Sequence, residues 1–426
     1  MQNGQVSQAR LDDMVHRVLR SMFAVGVIDN PPQFQEVNPF RGRDDAEHIA
    51  NESIVLLKNS DNILPLSSSV QSIAIIGSHA DVGVLSGGGS AQVDAPGGNA
   101  INPHSGGAKW METVYFPSSP LKEIRRHAPH AHIAFDAGAD PTSAAKLAGS
   151  SQIAIVFVNQ PMSEGMDRPT LALPDNQDAL VNAVVAANPR TIVVIESGGP
   201  VTMPWAEKVQ GIVEAWYPGI GGAQSLARLL FGDVNFSAKL AVTFPKSIDQ
   251  LPHPQVPGLK VAAAGSLPEA RHHHQQEAPF DADYTAEGPR VGYKWFESEH
   301  RDPLFPFGFG LSYTTYSYSD LKVDAAKHCA TFTVRNTGER AGTEIAQVYA
   351  VLPQSTGEAN FRRLVGWDRL TLNPGESKTV TVQMNPLTLS IFDVAKNSFT
   401  MAPGDYQIFA GPSSAETPLS AAMHIE

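Results

Sequence analysis

Residues 152–158 read QIAIVFV, a nearly continuous apolar run rich in β-branched residues, and this run decides the fold of the segment around it. Such a run predicts a strand that is buried on both faces of a parallel sheet. Further strands are predicted at 72–77, 132–135, 191–195 and 211–216. Helices are predicted at 46–57, 176–187 and 223–231. Because helical and strand patterns alternate, residues 45–250 are predicted to form a doubly wound α/β sandwich with a mostly parallel sheet.

The ends of the chain differ from this central segment. In residues 301–426 apolar side chains alternate at period two, and turn signals such as Asn373-Pro374-Gly375 separate the runs. This pattern predicts an all-β sandwich of the fibronectin type III kind. Residues 251–300 form a connector rich in Pro and His. Residues 1–44 contain an amphipathic helix, 7–25, and an extended connector.

The composition narrows the classes of function. The chain has 426 residues and a formal net charge of −12, which argues against a nucleic-acid partner because that binding depends on clustered Lys and Arg. No apolar run reaches the ~18–20 residues of a membrane helix, so no membrane partner is predicted. Cys329 is the single cysteine, and the histidine run at 272–274 lacks spaced partners, so neither a disulfide nor a metal site is predicted within these residues.

The sequence leaves the cellular compartment of the protein undecided. The first residues have no basic region followed by an apolar region, so no signal peptide is visible. Residue 1 need not be the start of the natural polypeptide. The sequence therefore leaves periplasmic, secreted and cytoplasmic localisation as alternatives.

One carboxylic acid stands out, Glu164, in the loop SEGMDR at 163–168 that follows the strand at 152–158. Open α/β sheets bind ligands at loops beyond the carboxyl ends of their strands. A Glu in such a loop can donate a proton, although most loop acids are merely solvated. Asp167 and Arg168 are candidates for a local ion pair that pins the loop, or for contacts with substrate.

A glycine-rich stretch, SGGGS at 86–90, lies beyond another predicted strand. It matches neither glycine pattern that cradles a phosphate, so no nucleotide site is predicted. Gly88, Gly89 and Ser90 instead permit close backbone approach to a flat ligand, or form a flexible turn. Trp110, further along, is a candidate for stacking on a sugar ring, and the alternative is that it packs the long loop onto the body.

Several motifs together resemble one family. In chain order they include ESIVLLKN at 52–59, GGGS at 87–90, SEGMDR at 163–168, WYPG at 216–219 and PLFPFGFGLSYT at 303–314. This order resembles the C-terminal half of glycoside hydrolase family 3 enzymes of the β-glucosidase type, from about residue 7 to the end of the chain. The motif at 303–314, where the β-sandwich begins, is the most distinctive.

The resemblance implies a three-part enzyme with a (β/α)8 barrel, an α/β sandwich and a fibronectin type III domain. The barrel of such enzymes carries an Asp nucleophile in a Ser-Asp-Trp setting, and the α/β sandwich supplies the acid/base Glu, whose position Glu164 occupies. The loop with Gly88, Gly89 and Ser90 resembles the element that lines the sugar site. No Ser-Asp-Trp occurs here. A barrel of ~250 residues does not fit before residue 45, so we expect the nucleophile on a barrel in cis or in trans.

The implied reaction is retaining hydrolysis of a terminal β-linked sugar, such as a β-glucoside, without a metal or organic cofactor. This chain alone is expected to be inactive. The alternative is a non-catalytic carbohydrate-binding or interaction module built from the same two domains. If a barrel is missing, the face of the 45–250 unit that meets it should expose an apolar patch and favour self-association.

Overall fold

The computed structural model describes residues 4–34, 38, 40–90, 92, 113–164, 170–254 and 283–426. Trp110, Asp167, Arg168 and the histidine run at 272–274 lie outside the described residues. Residues 1–42 form one compact unit and residues 43–426 form a second. Among the residues described, no helix combines the length and the apolar character needed to cross a membrane.

The first unit contains helix α1, Gln8–Ala24, which confirms the helix predicted at 7–25. Ser7 caps it, because its side-chain oxygen accepts a hydrogen bond from the Arg10 N–H at 3.2 Å. None of the residues of α1 is buried. The apolar side chains that recur at helical spacing are exposed: Leu11, Met14, Val15, Val18, Leu19 and Phe23.

The α/β part of the second unit is built of strands and helices that alternate along the chain. Its strands are β1 Val55–Asn59, β2 Ser72–Ile76, β3 Gly83–Ser86, β4 Val114–Phe116, β5 His132–Asp136, β6 Ile153–Gln160, β7 Thr191–Ser197 and β8 Gly211–Glu214. The helices of the second unit are α2 Arg43–Ser53, α3 Pro120–His127, α4 Pro141–Gly149, α5 Gln177–Ala187, α6 Gly222–Phe231 and α7 Tyr293–Ser298. The five predicted strands are all present.

Six of these strands form the main sheet, in the order β1-β8-β7-β6-β2-β5. Every neighbouring pair is parallel except β1 with β8, which is antiparallel. Alternate side chains enter two apolar layers: Val156 packs in the layer of α4 and α5, whereas Ile155 packs in the layer of α2, α3 and α6. Because both faces are covered, the central strands are largely apolar and carry polar residues mainly toward their ends. The predicted α/β sandwich is confirmed.

One predicted helix is wrong in its second half. The pattern at 46–57 predicts a single helix, but α2 ends at Ser53 and residues 55–59 form β1. Val55 and Leu57 pack in one apolar layer and Leu56 packs in the other. A strand at the sheet edge buries both faces of this short run, which a helix at that place could not do. Burial on two sides therefore decided the structure over the helical spacing.

The C-terminal part is a sandwich of antiparallel sheets. Its strands are β9 Tyr316–Asp324, β10 Cys329–Asn336, β11 Gly342–Val351, β12 Arg363–Leu372, β13 Ser377–Gln383, β14 Ile391–Asp393, β15 Ser398–Thr400, β16 Gly404–Gly411 and β17 Leu419–Ile425. The sheet β13-β10-β9 and the sheet β12-β11-β16-β17 enclose an apolar core that includes Phe332, Val348 and Tyr406. The prediction of a fibronectin-like sandwich is confirmed.

Exposed apolar side chains are scarce on the α/β part. In the described part of residues 43–254, Ile49 is the one large apolar side chain that is exposed. The apolar patch predicted on the 45–250 unit is therefore not found among these described residues. Self-association through that face stays a prediction.

Candidate active site

The topology of the main sheet has a switch point between β2 and β6, the place where open α/β sheets form a ligand crevice. These strands are parallel neighbours, yet the chain leaves β2 toward β5 on one side and leaves β6 toward β7 on the other. At such a switch point the loops beyond the carboxyl ends diverge, and ligands bind in the space between them. The segment after β2 leads through β3 to Gly88, Gly89 and Ser90, and the segment after β6 leads to Glu164.

The two segments, predicted separately, lie directly against each other. Gly88 and Ser163 form an isolated parallel bridge. The Gly88 N–H donates a hydrogen bond to the Met162 carbonyl at 3.0 Å, and the Glu164 N–H donates to the Gly88 carbonyl at 3.3 Å. The glycine-rich loop thus holds the backbone of the loop that carries the acid.

The Glu164 carboxylate is oriented by Ser90. The Ser90 N–H donates a hydrogen bond to Oε2 of Glu164 at 2.7 Å. The Ser90 hydroxyl, and after it this backbone N–H, lower the pKa of Glu164, whose side chain is exposed. In this state Glu164 is therefore ionised at neutral pH, and it is held in one direction by charge-assisted hydrogen bonding.

Gly89 has a backbone conformation and an environment that require glycine. Its φ is +86°, in the left-handed region. A Cβ at this position would lie 3.0 Å from Oε2 of Glu164 and closer still to the Cβ of Glu164. Its known contacts are thus with Glu164 itself, and a direct contact with substrate stays a prediction.

Sequence reasoning missed Tyr217, which contacts the two segments that meet at Glu164. The Tyr217 hydroxyl donates a hydrogen bond to the Gln160 carbonyl at the end of β6. A Cβ added at Gly87 or at Gly198 would lie 3.2 Å from Cε2 of Tyr217, so the ring packs against both glycines. Tyr217 was quoted only as part of the motif at 216–219, and nothing in that motif indicates that its ring would reach β6.

Two buried carboxyl groups were also missed. Glu196 is the penultimate residue of β7, Glu214 is the last residue of β8, and their side chains are 1 % and 0 % exposed. Burial raises the pKa of Glu196 to about 8, and burial raises the pKa of Glu214 well above its usual range. The available signal was a lone acid at the end of each of two strongly apolar runs, where a solvated side chain is the ordinary interpretation. Among the described residues, no cluster of three His, Cys, Asp or Glu side chains could hold a metal ion.

These features define a class of protein: an α/β chain with a topological switch point in its sheet, an oriented carboxylate in a loop beyond that point, and a β-sandwich that follows along the chain. Residues 54–313 match the family described as Glycosyl hydrolase family 3 C-terminal domain. Residues 344–414 match the Fibronectin type III-like domain. The chain belongs to glycosyl hydrolase family 3 and corresponds to the C-terminal part of its β-glucosidase members.

Curated relatives and solved structures agree with this assignment. The chain is 32 % identical to Thermostable beta-glucosidase B of Acetivibrio thermocellus, over all of this chain and 54 % of that protein. It is also 32 % identical to a Beta-glucosidase of Rhizobium radiobacter, over 66 % of this chain and 34 % of that one. The chain thus spans about half, or less, of the length of these relatives.

Crystal structures of beta-glucosidases match the whole chain, including the following two. The beta-glucosidase DesR from Streptomyces venezuelae, in complex with D-glucose, matches with a TM-score of 0.78 and 26 % identity, and 65 % of it is covered. Beta-D-glucoside glucohydrolase from Trichoderma reesei matches with a TM-score of 0.81 and 27 % identity, and 62 % of it is covered. The similarity therefore extends over both domains of this chain.

Proposed function

We propose that Glu164 is the acid/base of a retaining β-glycosidase of the β-glucosidase type. The nucleophilic Asp comes from a (β/α)8 barrel outside these residues, in cis or in trans. The observation that carries the proposal is the hydrogen bond from Ser90, which fixes the Glu164 carboxylate in the crevice between β2 and β6. A substrate at a switch-point crevice would meet this carboxylate directly.

The proposed chemistry assigns two successive tasks to Glu164. In the first step the Asp carboxylate attacks the anomeric carbon, and Glu164 gives its proton to the glycosidic oxygen as the bond to the aglycone breaks. In the second step Glu164 takes a proton from water, which attacks the anomeric carbon and releases the Asp. Retaining enzymes hold the two carboxyl groups ~5–5.5 Å apart, so a barrel would have to cover the crevice.

The ionised state of Glu164 in this chain supports the proposal that a barrel covers the crevice. A general acid must carry its proton at the working pH, whereas here Ser90 lowers the pKa of the exposed Glu164. A barrel that excludes water from the crevice would raise this pKa, and the like charge of the nucleophilic Asp would raise it further. We therefore expect the chain alone to be inactive.

The remaining substrate contacts belong to the same proposal. Gly88, Gly89 and Ser90 lie beside Glu164 and would line the sugar site through their backbone. Trp110, Asp167 and Arg168, outside the described residues, are proposed to contact the sugar as well. The printed names of the relatives, which are beta-glucosidases, favour a β-glucoside as substrate.

Hydrolysis of an aryl β-glucoside tests the proposal. The chain would be assayed alone and with a family 3 barrel added in trans, as wild type and as Glu164→Gln. We expect no turnover by the chain alone, turnover with the barrel, and a loss of at least ~100-fold in the Gln variant. Proton NMR of the first product should detect the β-anomer. Glu164-dependent turnover without a barrel would place the second carboxylate within this chain and refute the proposal.

The same observation favours one other function, a non-catalytic sugar-binding module. An ionised Glu164 is a strong hydrogen-bond acceptor for sugar hydroxyls, and it needs no proton for that task. Calorimetric titration of the chain with glucose separates the two functions. Binding to the chain alone that is lost in Glu164→Gln, together with no turnover when a barrel is present, would favour the module.

A further inference from the structure

Glu196 and Glu214 form a buried pair that the proposed chemistry does not use. They lie at the ends of the parallel strands β7 and β8, where Ile195 is paired with Glu214, so Glu196 follows one residue beyond. Buried carboxyl groups are rare unless they have a structural or chemical task. The Oε2 atom of Glu196 is buried, and no hydrogen-bond partner for it occurs among the described residues.

Glu214 fixes a strained turn. Its Oε1 accepts a hydrogen bond from the Trp216 N–H at 2.9 Å, and both of its carboxyl oxygens lie 3.3 Å from the Ser197 hydroxyl. Trp216 has a φ of +56°, a left-handed conformation that a bulky side chain rarely adopts. The hydrogen bond from Trp216 to Glu214 therefore holds a turn that would otherwise relax.

Tyr217 follows directly in this turn and contacts the segments on either side of the switch point. The Tyr217 hydroxyl bonds to the Gln160 carbonyl, and its ring packs against Gly87. A Cβ at Gly87 would also lie 3.0 Å from the carbonyl oxygen of Met162, two residues before Glu164. The side chain of Tyr217 thus contacts both segments whose pairing orients Glu164.

Glu196 acts on the other segment. The backbone of Val84, in β3, makes a favourable interaction with the Glu196 carboxyl. β3 ends at Ser86 and leads directly into the glycine-rich loop and Ser90. One carboxyl of the pair therefore contacts the strand that leads to Ser90, and the other supports the turn that contains Trp216 and precedes Tyr217.

We propose that Glu214 and Glu196 are positioning residues, which keep the Ser90 N–H and the Glu164 carboxylate in register through Tyr217 and β3. The effect on the loops does not depend on the catalytic role of Glu164, whereas the effect on hydrolysis rests on the proposed function. Glu196 and Glu214 are proposed to act through Tyr217 and β3, without contact to the substrate.

The neutral form of Glu214 suffices for this task. Burial raises the pKa of Glu214 well above its usual range, and Glu196 is the titratable group that raises it further. A glutamine has the same shape and can accept the Trp216 N–H, so Glu214→Gln should preserve the turn. Glu214→Leu removes both hydrogen bonds and should release it.

Hydrogen–deuterium exchange on the full chain at pH 6.5 is the test, read for peptides that cover 83–90 and 160–164. We expect Glu214→Leu to speed exchange in both peptides about tenfold, while Glu214→Gln stays within about threefold of wild type. Glu344→Leu is the control, because Glu344 is a buried carboxyl in β11 of the sandwich. It should lower global stability without a selective effect on these two peptides.

Two outcomes overturn the proposal: equal exchange in Glu214→Leu and the control, or a Gln variant as disruptive as the Leu variant. If the Leu variant does not fold, Tyr217→Phe replaces it. Loss of the Tyr217 hydroxyl should then speed exchange in 160–164 by a few-fold, and no change overturns the proposal too. Hydrolysis with an added barrel separates the hypotheses, since Glu164-independent turnover would refute the proposed function and leave the exchange result standing.

Discussion

Gly89 leaves no room for a side chain, and this makes it a sharp probe of the site. We expect Gly89→Ala to push Glu164 away from Ser90, because the new Cβ would overlap the Glu164 side chain. Misplacing a catalytic group by ~1 Å costs ~10–100-fold in rate, so barrel-complemented hydrolysis should fall by that factor. The Ser90 amide should also exchange faster with solvent.

Gly357 is the matched control for this variant. Its φ is +72°, close to that of Gly89, but a Cβ there would meet nothing within 4 Å. Gly357→Ala should therefore lose only the ~1–2 kcal/mol of a left-handed alanine and keep full activity. Equal losses of activity in the two variants would contradict the role assigned to Gly89.

Glu196 should make the stability of the chain depend on pH. Its pKa is about 8 in the folded state and near 4.5 when exposed, so between these values the folded chain binds the additional proton. The free energy of unfolding should consequently fall as pH rises through this window, by up to ~1.4 kcal/mol per pH unit. Below pH 4.5 and above pH 8 this contribution should be flat.

Glu196→Gln removes this titration. Urea unfolding of wild type and variant at pH 5, 6.5, 8 and 9 should show the variant gaining stability relative to wild type up to pH 8 and no further. Titrating groups far from Glu196 are common to both proteins and cancel to first order. A difference that does not change with pH would mean that Glu196 is ionised in the folded state.

At the scale of elements, an ion pair joins the segment after α6 to strand β11 of the sandwich. Lys239 Nζ lies 3.2 Å from Oε2 of Glu344, and the side chains are 11 % and 3 % exposed. Tyr318 donates a second hydrogen bond to Glu344 at 2.7 Å. Burial raises the pKa of Glu344, and Lys239 partly offsets this.

Removing one partner of the Lys239–Glu344 ion pair should lower the free energy of unfolding. Lys239→Met leaves a buried carboxylate without its cation, so we expect a loss of ~3 kcal/mol in the free energy of unfolding at pH 8. The loss should shrink at pH 5, where Glu344 can take up a proton. The double variant Lys239→Met/Glu344→Gln should recover most of the stability in urea unfolding, and a double variant no better than the single one would contradict this account.

The observed strands, compared with the predicted ones, show which of them the sequence could predict. The runs at 72–77 and 152–158 are short and rich in β-branched residues, which favours strands covered on both faces, and both strands were found. The run at 55–59 continues a helical pattern, and only the neighbouring β8 makes it a strand. Local spacing carries no information about such a neighbour, so the boundary between α2 and β1 was missed.

At the scale of the whole molecule, the same limit applies to the site. Glu164 and the glycine-rich loop could be predicted because each follows a strand of the sheet. Their pairing follows from the order of β2 and β6, which local patterns do not encode. Glu196 and Glu214 were missed for a different reason, since a carboxyl at a strand end looks solvated until the segments that bury it are placed.

The long-range bridge between Leu56 and Leu311 has a consequence for the synthesis of the protein on the ribosome. Leu311 covers the outer edge of β1, and its N–H donates to the Leu56 carbonyl at 2.8 Å. Leu56 leaves the ribosome about 250 residues before Leu311 does. At ordinary rates of synthesis this is a delay of ~10–50 s. Throughout that interval the nascent chain presents an unpaired strand edge, which can pair with a strand of another chain.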